Sequence, residues 1–239
     1  MNRFDRGVSL GGLLSGERMK PTLILLLTPV LLVTFKYYGS KQWYFEVLRD
    51  WFVLAGNPEL TAALYVFFAS LVLFGVVPLL IIRFVFKEPL SSYGLQMGDS
   101  RFGWKAVAIL GPLFVLSAYP SSFMPEFLTE YPLYPGAGAT AGAFITHAFS
   151  YLFFHIGWEI YFRGFMQFGL RSSFGDWNSI LLQVMASCLV HIGKPAAETY
   201  SSILGGLVWG ILAFRSRSII YGLVIHWLLG VALDLFIVT

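Results

Sequence analysis

The chain has 239 residues, of which 57% are hydrophobic and 12% charged, against roughly a quarter charged in an ordinary soluble domain. That composition excludes a water-soluble globular protein, and a single Cys excludes an internal disulfide framework. The net charge of +3 comes from Lys and Arg spread in ones and twos, a membrane-topology signal rather than a nucleic-acid patch.

Residues 1–20 carry Arg3, Arg6, Arg18 and Lys20 with no small-residue cleavage site after an apolar core, and read as a cytoplasmic tail. Uncharged or nearly uncharged runs follow at 21–35, 60–82, 106–119, 139–158, 177–192, 199–214 and 218–238. The fold class expected is an all-α, polytopic transmembrane helical bundle of about seven spans, within a range of six to eight. With the N-terminus inside, twelve Lys and Arg fall in inner segments and four (Lys36, Lys41, Arg49 and Lys194) in outer ones. That asymmetry predicts a cytoplasmic N-terminus and an external C-terminus. Between the first two runs, Tyr44, Val47, Leu48 and Trp51 recur at i, i+3, i+4 and i+7. They read as an amphipathic helix in the membrane interface or as a loop helix packed on the bundle.

The chain changes character near residue 140. Residues 1–138 supply the tail, three spans and the interfacial helix, whereas 139–239 supply four spans with polar residues inside them. Ionisable groups at membrane depth cost several kcal/mol unless they face a partner or a wet cavity, so each marks a candidate site. Glu159 and Arg163 stand four apart on one helix face, with His155 one turn earlier. His191 ends a span, and the Gly193-Lys194-Pro195 turn returns Glu198 towards it. His226 shares a face with Gly230, while Asp234, near the outer end, suits a cap or a solvated position. His147, Gln183 and Asn178 suit inter-helix hydrogen bonds, and Cys188 a small buried hydrophobe. Gly206 and Gly210 have the spacing for close helix packing.

Carboxylates and histidines from three spans supply a base to activate water and donors for the charge on a scissile carbonyl oxygen. Glu159, His191 and His226 are also acceptable ligands for a divalent metal such as zinc, although no H-E-x-x-H helix is present. A third class, a proton-coupled carrier, would use the same groups as a relay, but Gly and Pro lie mainly at span ends, which disfavours broken transporter helices.

The order Trp158-Glu-Ile-Tyr-Phe-Arg-Gly, His191-Ile-Gly-Lys-Pro-Ala-Ala-Glu, Gly205-Gly-Leu-Val-Trp-Gly and Ser218-Ile-Ile-Tyr-Gly-Leu-Val-Ile-His resembles the CPBP (Abi, CAAX-protease-like) intramembrane endopeptidase family over about residues 140–236. In that family a glutamate motif E-E-x-x-x-R, a histidine motif F-x-x-x-H and a final H-x-x-x-N line an intramembrane cavity. The resemblance implies a membrane-embedded peptidase acting on a membrane-associated peptide or protein, in an integral membrane setting such as a bacterial inner membrane. Its eukaryotic members remove the tripeptide of prenylated C-a-a-X proteins, and bacterial relatives are linked to bacteriocin self-immunity. An inactive scaffold or immunity-type protein is therefore the alternative. Carried over, Glu159 matches the second glutamate, Arg163 the arginine, His191 the second-motif histidine and His226 the third. Trp158 stands in place of the first glutamate, Ser187 of the Phe and Gly230 of the Asn. The resulting assignment is Glu159 as base, His191 orienting water, His226 polarising the carbonyl, Glu198 steadying a histidine and Arg163 fixing the carboxylate, with Glu198 as the alternative base.

Overall fold

A computed structural model describes residues 16–239, so Arg3 and Arg6 of the expected tail lie outside the described residues. The helices are α1 (Met19–Tyr38), α2 (Lys41–Trp43, widening to π-turns over Tyr44–Leu48), α3 (Pro58–Phe86), α4 (Ser100–Ser121) and α5 (Pro125–Glu130). They continue with α6 (Ala141–Glu159, carried on as π-turns over Ile160–Phe168), α7 (Gly169–Val190, interrupted at Gly175), α8 (Ala196–Ser216) and α9 (Ile220–Val238). The helical membrane bundle read from composition is the observed fold class.

Local chemistry sets the boundaries. Asn57 caps α3 through its side chain to the Leu60 N–H at 2.9 Å, Asp99 caps α4 to Phe102 at 3.0 Å, and Thr140 caps α6 to Ala143 at 3.0 Å. Each such cap is worth about 1 kcal/mol. Gly175, at φ 75°, breaks the path between α6 and the outward run of α7, and Arg217, at φ 58°, ends α8.

Among the described residues five helices, α1, α3, α4, α8 and α9, are long and apolar enough to cross a membrane. The other two expected spans, α6 and α7, fall short of that measure, and for α6 the reason is its position. Helix α6 and its π extension lie against α3, α8 and α9, and every residue from Gly157 to Gln167 is buried. A helix wrapped by protein carries polar side chains that a lipid-facing one cannot. At Gly157 the approach to α3 is so close that a Cβ would lie 2.4 Å from the Ser70 carbonyl oxygen. The aromatic core of Phe74, Trp158, Tyr161, Phe162 and Phe165 fills the space around this crossing.

Contacts tie successive helix ends alternately to opposite ends of the bundle. At one end Lys20 pairs with Glu88 at 3.0 Å and the Asp99 N–H donates to the Ser216 carbonyl at 2.7 Å. At the other, Lys36 donates to the Ile192 carbonyl at 2.8 Å, Lys41 to the Leu133 carbonyl at 3.0 Å, and Lys194 pairs with Glu130.

Four sequence expectations change here. The amphipathic stripe stops short, because α2 ends at Leu48 and buries Tyr44, leaving Trp51 beyond it and 88% exposed. Asp234 is fully buried and bound to His147 at 2.7 Å, neither a cap nor solvated. Asn178 is exposed and makes none of the inter-helix bonds expected of it, whereas Gln183 donates to the Gly206 carbonyl at 2.9 Å. Pro29, Pro78 and Pro112 sit within helices, away from span ends.

Candidate active site

Helix periodicity builds the site. On α6 the side chains of His147, Tyr151, His155 and Glu159 recur every fourth residue and so share one face. The antiparallel α9 answers with Asp234, Gly230, His226 and Gly222 at the same interval. The two faces meet in register. His147 bonds Asp234, a Cβ on Gly230 would sit 3.0 Å from the Tyr151 ring, and the His155 and His226 rings lie edge to face at 4.8 Å. One turn further, His226 Nδ1 donates to Glu159 Oε1 at 2.9 Å. Glycines at 222 and 230 let the backbones approach, and the buried imidazole and carboxylate groups find their partners across the gap.

Glu159 is fully buried, with Oε1 3.3 Å from Arg163 Nη1 on the next turn. A buried carboxylate flanked by a guanidinium and an imidazole is balanced in charge, the condition under which low dielectric tolerates it. The pair holds the His226 ring in one orientation, with Nε2 free. Trp209 steadies the same ring from α8: its indole N–H donates to the Gly222 carbonyl at 2.7 Å and its ring lies 5.3 Å from His226.

The second half comes from the α7–α8 turn. His191 caps α7, Gly193 turns with φ 98°, and the Thr199 hydroxyl donates to the His191 carbonyl at 3.0 Å, locking the turn. Glu198 consequently stands in the first turn of α8, where the helix dipole favours a carboxylate. His191 Nδ1 donates to the Ser187 carbonyl at 2.6 Å, which leaves Nε2 as an acceptor. That nitrogen lies 3.9 Å from Glu198 Oε1. The Tyr131 hydroxyl donates to the same oxygen at 2.8 Å. Burial first, and then the Glu198 carboxylate, push the Tyr131 phenol well above its ordinary pKa, so it remains a donor.

These groups face two adjoining cavities of about 320 and 400 Å³ whose shared wall is Tyr131, Tyr151, His155, Trp158, His191, Glu198 and His226. The first runs between α4, α8 and α9 past Phe114, Ser201 and Gly206, and the second opens past Lys36 and Lys41 at the α1–α2 junction. Of the five residues selected from sequence, His191, His226 and Glu198 border both cavities and Arg163 borders the first. Glu159 borders neither and meets the space through His226 and Arg163.

The same placement bears on a metal. Among the described residues no three His, Cys, Asp or Glu side chains gather as ligands of one ion. Glu159 is engaged by a cation and an imidazole, so Glu159, His191 and His226 do not form the metal set the sequence permitted. Tyr131, in a loop, carries no spacing signal in the sequence. His155 is legible only as a member of the α6 stripe, one turn before Glu159.

Residues 140–232 match the family described as Type II CAAX prenyl endopeptidase Rce1-like. Comparison with curated proteins and with solved structures gave no match. The matched segment begins at the cap of α6 and runs through the first three turns of α9, so it spans Glu159, Arg163, His191, Glu198 and His226. The similarity to that family covers residues 140–232, from the cap of α6 into α9, and so takes in every candidate site residue except Tyr131.

Proposed function

We propose that the protein is an intramembrane endopeptidase in which Glu198 and His191 activate water and His226, held by Glu159, binds the scissile carbonyl. The observation that carries this reading is the apposition of His191 Nε2 and Glu198 Oε1 at 3.9 Å across a cavity that His226 also borders. That separation is too long for a direct hydrogen bond, but one water at about 2.8 Å from each of two acceptors spans roughly 3.9 to 4.6 Å as the angle at its oxygen opens from about 90° to 110°. Glu198 takes over the base role that Trp158 cannot fill, and Trp158 instead packs its ring on His191 at 5.3 Å.

The chemistry balances as follows. The Glu198 carboxylate removes one proton from the bound water as its oxygen bonds to the carbonyl carbon. The oxyanion accepts a hydrogen bond from His226 Nε2–H once the ring carries both protons, its Nδ1–H staying on Glu159. On collapse the C–N bond breaks, the electron pair leaves on nitrogen, and the Glu198 proton transfers to the departing amine. Arg163 and Glu159 act by positioning. The cavity lies within a bilayer-spanning bundle, so the substrate is a membrane-associated peptide or protein.

We also place the N-terminus on the cytoplasmic side of a bacterial inner membrane. Arg18, Lys20, Arg83, Lys87, Arg101, Lys105, Arg171, Arg215 and Arg217 gather towards one end of the bundle, against Lys36, Lys41, Arg49 and Lys194 at the other.

The test is to incubate purified protein in detergent with a library of lipid-anchored fluorogenic peptides. The reading expects cleavage that His226→Gln lowers by about 10²- to 10³-fold, the loss typical of one oxyanion donor. No cleavage by the wild type, with the protein folded, contradicts it.

A further inference from the structure

The mechanism leaves one cavity-facing group unused. His155 is 2% exposed, borders both cavities, and donates from Nδ1 to the Tyr151 carbonyl at 2.9 Å. A carbonyl only accepts, so the proton sits on Nδ1 and Nε2 carries a lone pair. Among the described residues the ring's hydrogen bond is the one from Nδ1, and Nε2 has none. A Cβ on Gly230 would stand 3.2 Å from it, so residue 230 has no side chain to cover it. Beside it, with ring centroids 4.8 Å apart, is His226, whose Nδ1 donates to Glu159 and whose Nε2 faces the cavity as a donor when the ring is charged. The site therefore presents an acceptor and a donor side by side.

In an extended peptide the N–H and the C=O of one residue point to the same edge of the strand. We propose that His155 is a substrate-binding residue: Nε2 accepts the N–H of the residue whose carbonyl His226 holds, so the enzyme reads the scissile residue as an extended strand. This inference rests on the peptidase reading. It assigns the substrate a requirement, a free N–H on the amino side of the cut, which excludes proline there.

The test uses a lipid-anchored fluorogenic peptide that the wild type cleaves and its depsipeptide analogue, with that single N–H replaced by an ester oxygen and the products identified by mass. Wild type is expected to cleave the amide form roughly tenfold faster, the weight of one buried hydrogen bond. His155→Ala is expected to cleave both forms at similar, lowered rates, and His155→Gln, which keeps an acceptor, to regain part of the preference. A merely structural role lowers both rates and leaves the tenfold preference intact, which overturns the proposal while the peptidase reading stands. Absence of cleavage of every peptide by the wild type overturns both.

Discussion

At the scale of single residues, environment assigns the roles. Glu159 and Glu198 are both carboxylates beside a histidine, yet one is sealed between Arg163 and His226 and the other borders the cavity next to His191. Spacing in the sequence placed Glu159 with Arg163 and Glu198 with the His191 turn, and both pairings are observed. It did not distinguish base from support, because which carboxylate meets the cavity depends on how α6 is rotated within the bundle. Tyr131 and Asp234 were illegible or misread for a similar reason, their partners being 67 and 87 residues away. Breaking a buried ion pair by removing one partner costs about 3–5 kcal/mol. Asp234→Ala should therefore lower the thermal unfolding midpoint in detergent by several degrees, while Glu198→Gln leaves it near wild type. Equal midpoints for the two variants would contradict a structural role for the His147–Asp234 pair. Trp158 packs on Phe154 at 5.3 Å and Phe162 at 4.7 Å. Trp158→Glu, although it restores the motif carboxylate, should lose stability and gain no turnover.

At the scale of elements, the α6–α9 interface carries the site. Two helices with polar groups every fourth residue match only in one register, and a shift of one turn would leave His147, Glu159 and Asp234 without their partners. Unpaired, each would cost a further penalty of burial. The four-residue interval was readable on each helix separately, but nothing in either one named the other as its mate. Close packing at Gly157 against Ser70 fixes α6 from its other side. Gly157→Ala should cost about 1–3 kcal/mol by overpacking and lower cleavage by displacing His155 and Glu159 together. Unchanged stability in that variant would show that α3 yields freely.

At the scale of the whole molecule, composition identified a helical membrane bundle, and seven long helices are present among the described residues. Five are long and apolar enough to cross a membrane, and α6 departs from that pattern through the polar face it buries, His147, His155 and Glu159, while Ile145 and Phe149 on it stay exposed. Hydropathy measures what lipid tolerates, so it is least informative for the helix that buries His155, Glu159 and Arg163. Charge distribution predicts a direct result for topology. In a Cys188→Ala background, a cysteine at Arg217 should react with a membrane-impermeant maleimide only after the membrane is opened, and one at Lys41 in intact cells. The reverse pattern would invert the proposed orientation.

The central claim is that Glu198, and not Glu159, removes the proton from water. The most direct measurement is the cleavage rate of a lipid-anchored peptide by Glu198→Gln and Glu159→Gln, each at saturating substrate and with folding checked by thermal unfolding. Loss of a general base predicts a fall of about 10²- to 10⁴-fold for Glu198→Gln. Glu159→Gln keeps a hydrogen-bond acceptor for His226 and should retain most of its turnover. Full activity in Glu198→Gln beside an inactive Glu159→Gln would contradict the account.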